Sequence, residues 1–296
     1  MTREVKLTNL AKPLWPAPLF TKGDLIAYYR AVAPALLPHL AGRALTLARY
    51  PDGVDGPGWF QSNCPPGKPD WLPVAELPAR TMRRGVVPPV RPTIRYCLCD
   101  DLPSLLWIAN TGAIELHPFL ALARAPERPT ALVVDLDPAP PAGLLAAGRA
   151  ALVARDALAA AGLAAFPKTS GMYGLHLFAP LDADATFEAS KGLARALARD
   201  LAAAYPALFT DRPRRAERAG RVYLDWRQNA PGLSTVSPYS LRAGPVPLAS
   251  TPLAWNEIER AVARGEATAL RFGPADVLAR VSAHGDLFAD VLPRTP

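Results

Sequence analysis

The sequence is poor in cysteine, lysine and long apolar runs, and each shortage narrows what the chain can be. Its three cysteines are Cys64, Cys97 and Cys99, an odd number without the spacing of a disulfide framework. Cys97 and Cys99 stand two apart in the strand-like run IRYCLCDD. With no second ligand pair in sight, they are expected to be a buried thiol pair rather than a metal site. No stretch of about 18 uncharged apolar residues occurs. The apolar run near Ala150 is broken by Arg149, Arg155 and Asp156. No N-terminal signal sequence is visible, so a soluble protein of the reducing cytoplasm is expected, without a membrane partner. Only six of the 33 basic residues are lysines. Coding bias produces such an excess of arginine, and of alanine, so neither is read as function. No internal repeat or low-complexity linker divides the 296 residues. That length suits two modest domains or one large one.

Half of the chain is hydrophobic, enough for a substantial core, and the formal net charge is +7. The balance favours an acidic partner, of which nucleic acid is the commonest. The most informative stretch is Thr130 to Pro138, TALVVDLDP. Read as a strand, it places Asp135 and Asp137 on one face with their Cα atoms roughly 6–7 Å apart. Carboxylates so close repel unless a cation lies between them, and hard divalent cations prefer such oxygen ligands. D-x-D alone is weak evidence, because glycosyltransferases and phosphatases use it too.

From Thr130 onward the chain reads as alternating strands and helices. TALVVDLD is a strand, Ala142–Gly162 a helix, LAAFPKTS an extended run and GMYG a turn. LHLFAPL is a second strand, Thr186–Ala204 a second helix and GRVYLDW a last strand. The order β-α-β-β-α-β is the split ferredoxin-like or RRM-like arrangement. In it the first and last strands can be neighbours, which brings Asp225 toward Asp135 and Asp137. Three carboxylates holding two divalent ions suit phosphoryl transfer. Between the carboxylate strands lies Lys168–His176, KTSGMYGLH. Ser170, the glycine-rich backbone and His176 can bind phosphate oxygens. The plainer reading is a hairpin turn with a satisfied histidine.

Upstream, Thr21 to Asp24 reads as a helix start, with Leu25, Tyr28, Tyr29 and Val32 at helical spacing. ALTLARYPDG is a strand entering a turn. A loop with Gly53, Gly56, Pro57 and Gly58 leads to Trp59 and Phe60, which are core anchors or a stacking platform for bases; composition favours the core. Residues 76–95 carry Arg80, Arg83, Arg84, Arg91 and Arg95 with four prolines. This predicts an irregular basic surface, either merely solvated or touching phosphates. DDLPSLLWIANTGAIELHPF reads as a helix and a short strand in which His117, taken alone, is structural. The proline-bounded run SPYSLRA carries Arg242 and precedes a helix.

From LTNLAKPLWP and TKGDLIAYYRAVAPALLPHL, through RYPDG, WFQSN, IELHPF, LVVDLDP, FPKTSG–GLH and RVYLDW–QNA, to SPYSLRA, the chain resembles the polymerase domain of bacterial ligase D. That domain belongs to the archaeo-eukaryotic primase superfamily. The resemblance spans nearly the whole chain, and its motifs together are highly specific. It implies an α/β (α+β) primase-polymerase fold over residues 1–296. An N-terminal α/β lobe that binds DNA ends (about 1–128) precedes an RRM-like catalytic lobe (about 129–296). It implies a template-using polymerase that fills gaps in non-homologous end joining, favouring ribonucleotides over deoxynucleotides and manganese over magnesium. Asp135, Asp137 and Asp225 map to the ligands of two metal ions. Ser170, His176 and Arg242 map to triphosphate contacts, and His117 and Arg218 to further nucleotide positions. Asn9, Lys12 and Lys22 map to a pocket for the downstream 5′-phosphate. Trp59 and Phe60 map to the template, which reverses the core reading. Ku, a DNA ligase and a nucleoid-associated location are the expected company. One departure stands out: Tyr173 occupies a turn position where the family commonly has lysine. Two other readings stay open: a non-catalytic module that binds 5′-phosphorylated ends, and a primase that starts chains de novo.

Overall fold

A computed structural model of the chain describes residues 3–79 and 92–293. It divides into two units, Met1–Pro126 with Gly232–Pro247, and Glu127–Pro231 with Leu248–Pro296. Among the described residues, no helix is long and apolar enough to cross a membrane.

The first unit opens on a short antiparallel ladder, β1 (Pro13–Pro16) with β2 (Leu19–Thr21). Thr21 then caps α1 (Lys22–Leu40). Its hydroxyl accepts from the Asp24 N–H, and the Asp24 carboxylate accepts from the Thr21 N–H. This reciprocal pair satisfies donors that the first helical turn leaves without partners. Leu25, Tyr28, Tyr29 and Val32 are buried on the face their spacing predicts. Next comes a sheet built from β3 (Leu45–Arg49), β4 (Trp59–Gln61), β5 (Val74–Pro78), β6 (Thr93–Cys97) and, after α2 (Leu102–Asn110), β7 (Ala113–Pro118). β3 is antiparallel to both β4 and β7. Leu45 also pairs with Cys97 of β6, and β6 is antiparallel to β5. Residues 232–247 return to this unit. The Tyr28 hydroxyl donates to the Tyr239 carbonyl at 2.7 Å. The Leu116 N–H donates to Ser240 Oγ at 2.9 Å, and the Trp15 indole N–H to the Gly244 carbonyl at 2.8 Å.

Two expectations change here. Cys97 is not a thiol partner of Cys99: it forms a disulfide with Cys64, Cα–Cα 5.0 Å, and Cys99 is free and buried. The Cys64 N–H donates to the Arg95 carbonyl, and the Arg95 N–H to Asn63 Oδ1. These bonds bring the loop after β4 beside β6, a long-range pairing that an odd cysteine count does not exclude. The flanks of 76–95 are not irregular either. They are the paired strands β5 and β6, with Arg95 Nε 3.3 Å from Glu76. Arg80, Arg83, Arg84 and Arg91 lie outside the described residues.

The second unit contains β8 (Ala131–Pro138), α3 (Leu144–Ala160), β9 (Phe166–Thr169), β10 (Leu175–Pro180), α4 (Phe187–Ala204), β11 (Phe209–Thr210) and β12 (Val222–Asp225), then α5 (Trp255–Arg264) and α6 (Pro274–His284). Its sheet order is β11-β12-β8-β10-β9. The first and last strands of the βαββαβ arrangement are therefore neighbours, as the topology predicts. Leu132, Val134 and Leu136 are fully buried on one face of β8. Asp135 and Asp137 alternate with them on the other face.

Candidate active site

Strand register assembles the site. Asp225 of β12 stands opposite Asp135 of β8, His176 of β10 stands opposite Asp135 on its other side, and Lys168 of β9 stands opposite His176. Residues paired directly across antiparallel strands share a face. One row across the sheet thus reads Asp225, Asp135, His176, Lys168. Asp137 lies two residues along β8 on that same face, opposite Tyr223.

Each carboxylate has a local partner. Asp135 Oδ1 lies 3.4 Å from His176 Nε2. Asp137 Oδ2 accepts from Arg218 Nη1 at 3.1 Å, and the Arg218 guanidinium lies 3.6 Å from the Tyr223 ring centroid. Asp225 Oδ1 accepts from the Tyr223 hydroxyl at 3.1 Å and from the Arg227 N–H at 3.0 Å, capping the short 3-10 helix Trp226–Gln228. Partial desolvation raises the pKa of Asp137; Asp225 raises it further, while Arg218 and Arg215 oppose this. Burial, reinforced by the Asp225 charge, pushes the Tyr223 hydroxyl up to about 12. Among the described residues, no three His, Cys, Asp or Glu side chains are drawn together as a ready metal cage.

Where β12 ends, Asn229 continues its edge. The fully buried Asn229 amide accepts from the Val133 N–H at 2.8 Å and donates to the Val133 carbonyl at 2.7 Å. A side chain here makes the paired bonds a further strand residue would make, and so pins β12 against β8.

Ser170 lies in the turn between β9 and β10. Its oxygen accepts from the N–H groups of Met172 and Gly174, at 3.2 and 3.1 Å, so the hydroxyl shapes the turn itself. Gly171 has φ +75°, a region that favours glycine. A Cβ on Gly174 would lie 2.3 Å from the Leu136 carbonyl oxygen. Gly174→Ala is therefore expected to lower stability by about 2 kcal/mol or more by displacing β8 beside Asp137. Urea unfolding checks this; wild-type stability would contradict the close approach. Tyr173 is exposed on this turn.

In the first unit, His117 and Arg242 converge on Glu115. His117 Nε2 is 2.8 Å and Arg242 Nε 3.2 Å from Glu115 Oε2, while the Ala243 N–H donates to Oε1 at 2.9 Å. Burial raises the carboxyl's pKa, but the His117 hydrogen bond and the Arg242 charge outweigh it and hold Glu115 at about 2. Phe60 pairs with Ala48, and Ala48 with Glu115, so Phe60 shares their face. Its ring meets His117 edge-on at 5.2 Å between centroids. Trp59 points to the opposite face, with the Arg49 guanidinium 5.4 Å from its ring centroid. Phe60 is 66% exposed and Trp59 45%, so neither is a core anchor.

Asn9, Lys12 and Lys22 gather where α1 begins. The Lys12 N–H donates to the Asn9 carbonyl and the Lys22 N–H to the Lys12 carbonyl. Asn9 takes φ +54°. Lys12 Nζ is 2.6 Å from Asp52 Oδ1, and Lys22 Nζ 3.4 Å from Thr8 Oγ1. Burial, then the neighbouring Lys12 charge, lowers the Lys22 pKa. Two crowded ammonium groups at a helix N-terminus make an anion welcome.

Sequence reasoning missed Glu115, Lys168 and Asn229. Glu115 left a signal, because E-x-H on an apolar strand puts both side chains on one face. Lys168 and Asn229 act through side-chain bonds to residues that only strand pairing brings near, which their neighbours in sequence do not reveal.

Residues 21–288 match the family described as LigD, primase-polymerase domain. The chain is 36% identical over 293 residues to the multifunctional non-homologous end joining protein LigD of Mycobacterium bovis, covering 96% of this chain and 36% of that protein. It is 31% identical to the bifunctional LigD of Bacillus subtilis, covering 97% of this chain and 44% of that protein. The chain therefore spans less than half the length of these relatives. The polymerase domain from Mycobacterium tuberculosis ligase D, solved in complex with DNA, superposes with a TM-score of 0.87 at 34% identity, covering 100% of both chains. On these grounds the chain belongs to the LigD primase-polymerase domain family.

Proposed function

We propose that the chain is a metal-dependent nucleotidyltransferase that extends primers across gaps at 5′-phosphorylated DNA ends in non-homologous end joining. The observation that carries the reading is the shared face of Asp135, Asp137 and Asp225, with His176 on the adjoining strand. The donor set fits hard divalent cations: three carboxylates on one face, offering oxygen alone. When bound, manganese or magnesium ions supply charge stabilisation at a phosphate and lower the pKa of a hydroxyl. Asp135, Asp137 and Asp225 would hold them. His176 and the Ser170 turn bind triphosphate oxygens, and Arg218 balances charge beside Asp137. His117 and Arg242 contact the nucleotide, and Phe60 offers an exposed ring for a template base. The preference for ribonucleotides, and the company of Ku and a DNA ligase, are proposed from family membership.

The decisive assay is extension on a short gapped duplex, with or without a downstream 5′-phosphate, supplied with manganese and either rNTPs or dNTPs. Templated addition stimulated by the phosphate is the expected result. Failure to add any nucleotide would sink the assignment. Lys12→Ala and Lys22→Ala are each expected to cut the phosphate stimulation about five- to tenfold, leaving extension on the unphosphorylated gap nearly unchanged. Equal stimulation in both variants would remove the pocket.

The lysine pair also favours a second reading, an end-binding module without chemistry. It requires tight binding to phosphorylated gaps with no incorporation. Product from an unprimed template would instead identify a primase.

A further inference from the structure

Lys168 is fully buried, a costly place for an ammonium unless its hydrogens are bonded. Its Nζ lies 2.7 Å from Ser250 Oγ and 3.0 Å from His176 Nδ1. The Phe178 ring centroid is 5.5 Å away, within range of cation–π attraction. Ser250 donates its own hydrogen to the Thr169 carbonyl at 2.8 Å, so its oxygen receives from Lys168. An ammonium has donors and no acceptor. A Lys168 ammonium that donates to His176 Nδ1 at this distance places the hydrogen of a neutral imidazole on Nε2. Nε2 is the atom 3.4 Å from Asp135 Oδ1.

We infer that Lys168 is a positioning residue: it holds His176 in the Nε2–H tautomer, so that the ring presents a hydrogen-bond donor to anionic oxygen on the Asp135 face. The inference rests on the reading of His176 as a phosphate contact. With the opposite tautomer, the Nε2 lone pair would face carboxylate or phosphate oxygen and repel either. Lys168 sets the ring from its far side.

The tautomer can be read directly from imidazole ¹⁵N shifts, at a pH above the ordinary histidine range. The chain has four histidines, and the His176 signal is identified by its loss in His176→Ala. Wild type is expected to show Nε2–H. Lys168→Met, similar in length but without donors, is expected to lose the single tautomer and to raise the nucleoside triphosphate Kd about tenfold. Lys168→Arg keeps a donor and is expected to keep the tautomer. An Nδ1–H ring in wild type overturns the inference. So does a folded Lys168→Met variant that retains both tautomer and affinity. If Lys168→Met does not fold, the arginine variant decides: Nε2–H supports the inference, and Nδ1–H overturns it. Wild-type nucleotide affinity in His176→Ala would overturn the phosphate reading and the role built on it, and the ¹⁵N shifts tell that failure apart from a wrong tautomer.

Discussion

Asp135→Ala is expected to lower nucleotide addition by a factor of about 10²–10³ or more while leaving DNA binding nearly intact. Asp135 is the central carboxylate, with Asp225 opposite it on one side and His176 on the other. Its removal strips a proposed metal ligand and leaves His176 without its carboxylate partner. The surface proposed for the DNA 5′-phosphate belongs to Lys12 and Lys22 and is untouched. The same substitution relieves repulsion among three carboxylates, so the melting temperature is expected to hold or rise. Loss of activity together with undiminished stability separates a functional carboxylate from a structural one. Primer extension, fluorescence anisotropy with labelled gapped DNA, and thermal unfolding make the comparison. Extension at the wild-type rate would end the proposal that these aspartates drive the chemistry.

Glu115→Gln is expected to cost about 3 kcal/mol of stability at neutral pH and to flatten the acid limb of the stability curve. Glu115 is buried, and its folded pKa lies near 2 against an ordinary 4.5. A depressed carboxyl contributes stability that is fully present above its unfolded pKa. That contribution is lost as pH falls toward the folded value, here through the window from about 5 down to 2. The glutamine keeps the shape but not the charge, so His117 and Arg242 lose their shared anion. Urea unfolding of both proteins at pH 7 and at pH 3 should show the difference between them shrinking in acid. An unchanged difference would mean that Glu115 does not carry the charge its neighbours imply.

The sheet that carries the three aspartates was legible because its information is local. The alternation in LVVDLD fixed which residues share a face, and the βαββαβ order made the first and last strands neighbours. The register that sets Asp225 opposite Asp135, rather than one residue away, was not legible. It is held partly by Asn229, whose amide bonds the Val133 backbone across 96 residues of sequence. The Cys64–Cys97 bond was hidden for the same reason: two distant segments meet through backbone hydrogen bonds at Arg95 that no spacing rule anticipates. Ser170 was found but only half understood, because hydroxyl turn formation and hydroxyl phosphate binding use the same residue in the same place. Trp59 and Phe60 looked like a pair in sequence, yet strand alternation sends them to opposite faces, and only Phe60 joins His117 and Glu115.

The amide of Asn229 has a meaning for inheritance as well as for geometry. It indexes β12 against β8, so the strand accepts exchanges of letters but not a change in their number. A substitution in VYLD alters one side chain. A lost codon would shift Asp225 by one place along β8 and turn its carboxylate to the opposite face, while drawing the amide away from Val133. For this short strand a replacement touches the site directly only at Asp225, whereas a deletion at any of its residues disturbs it.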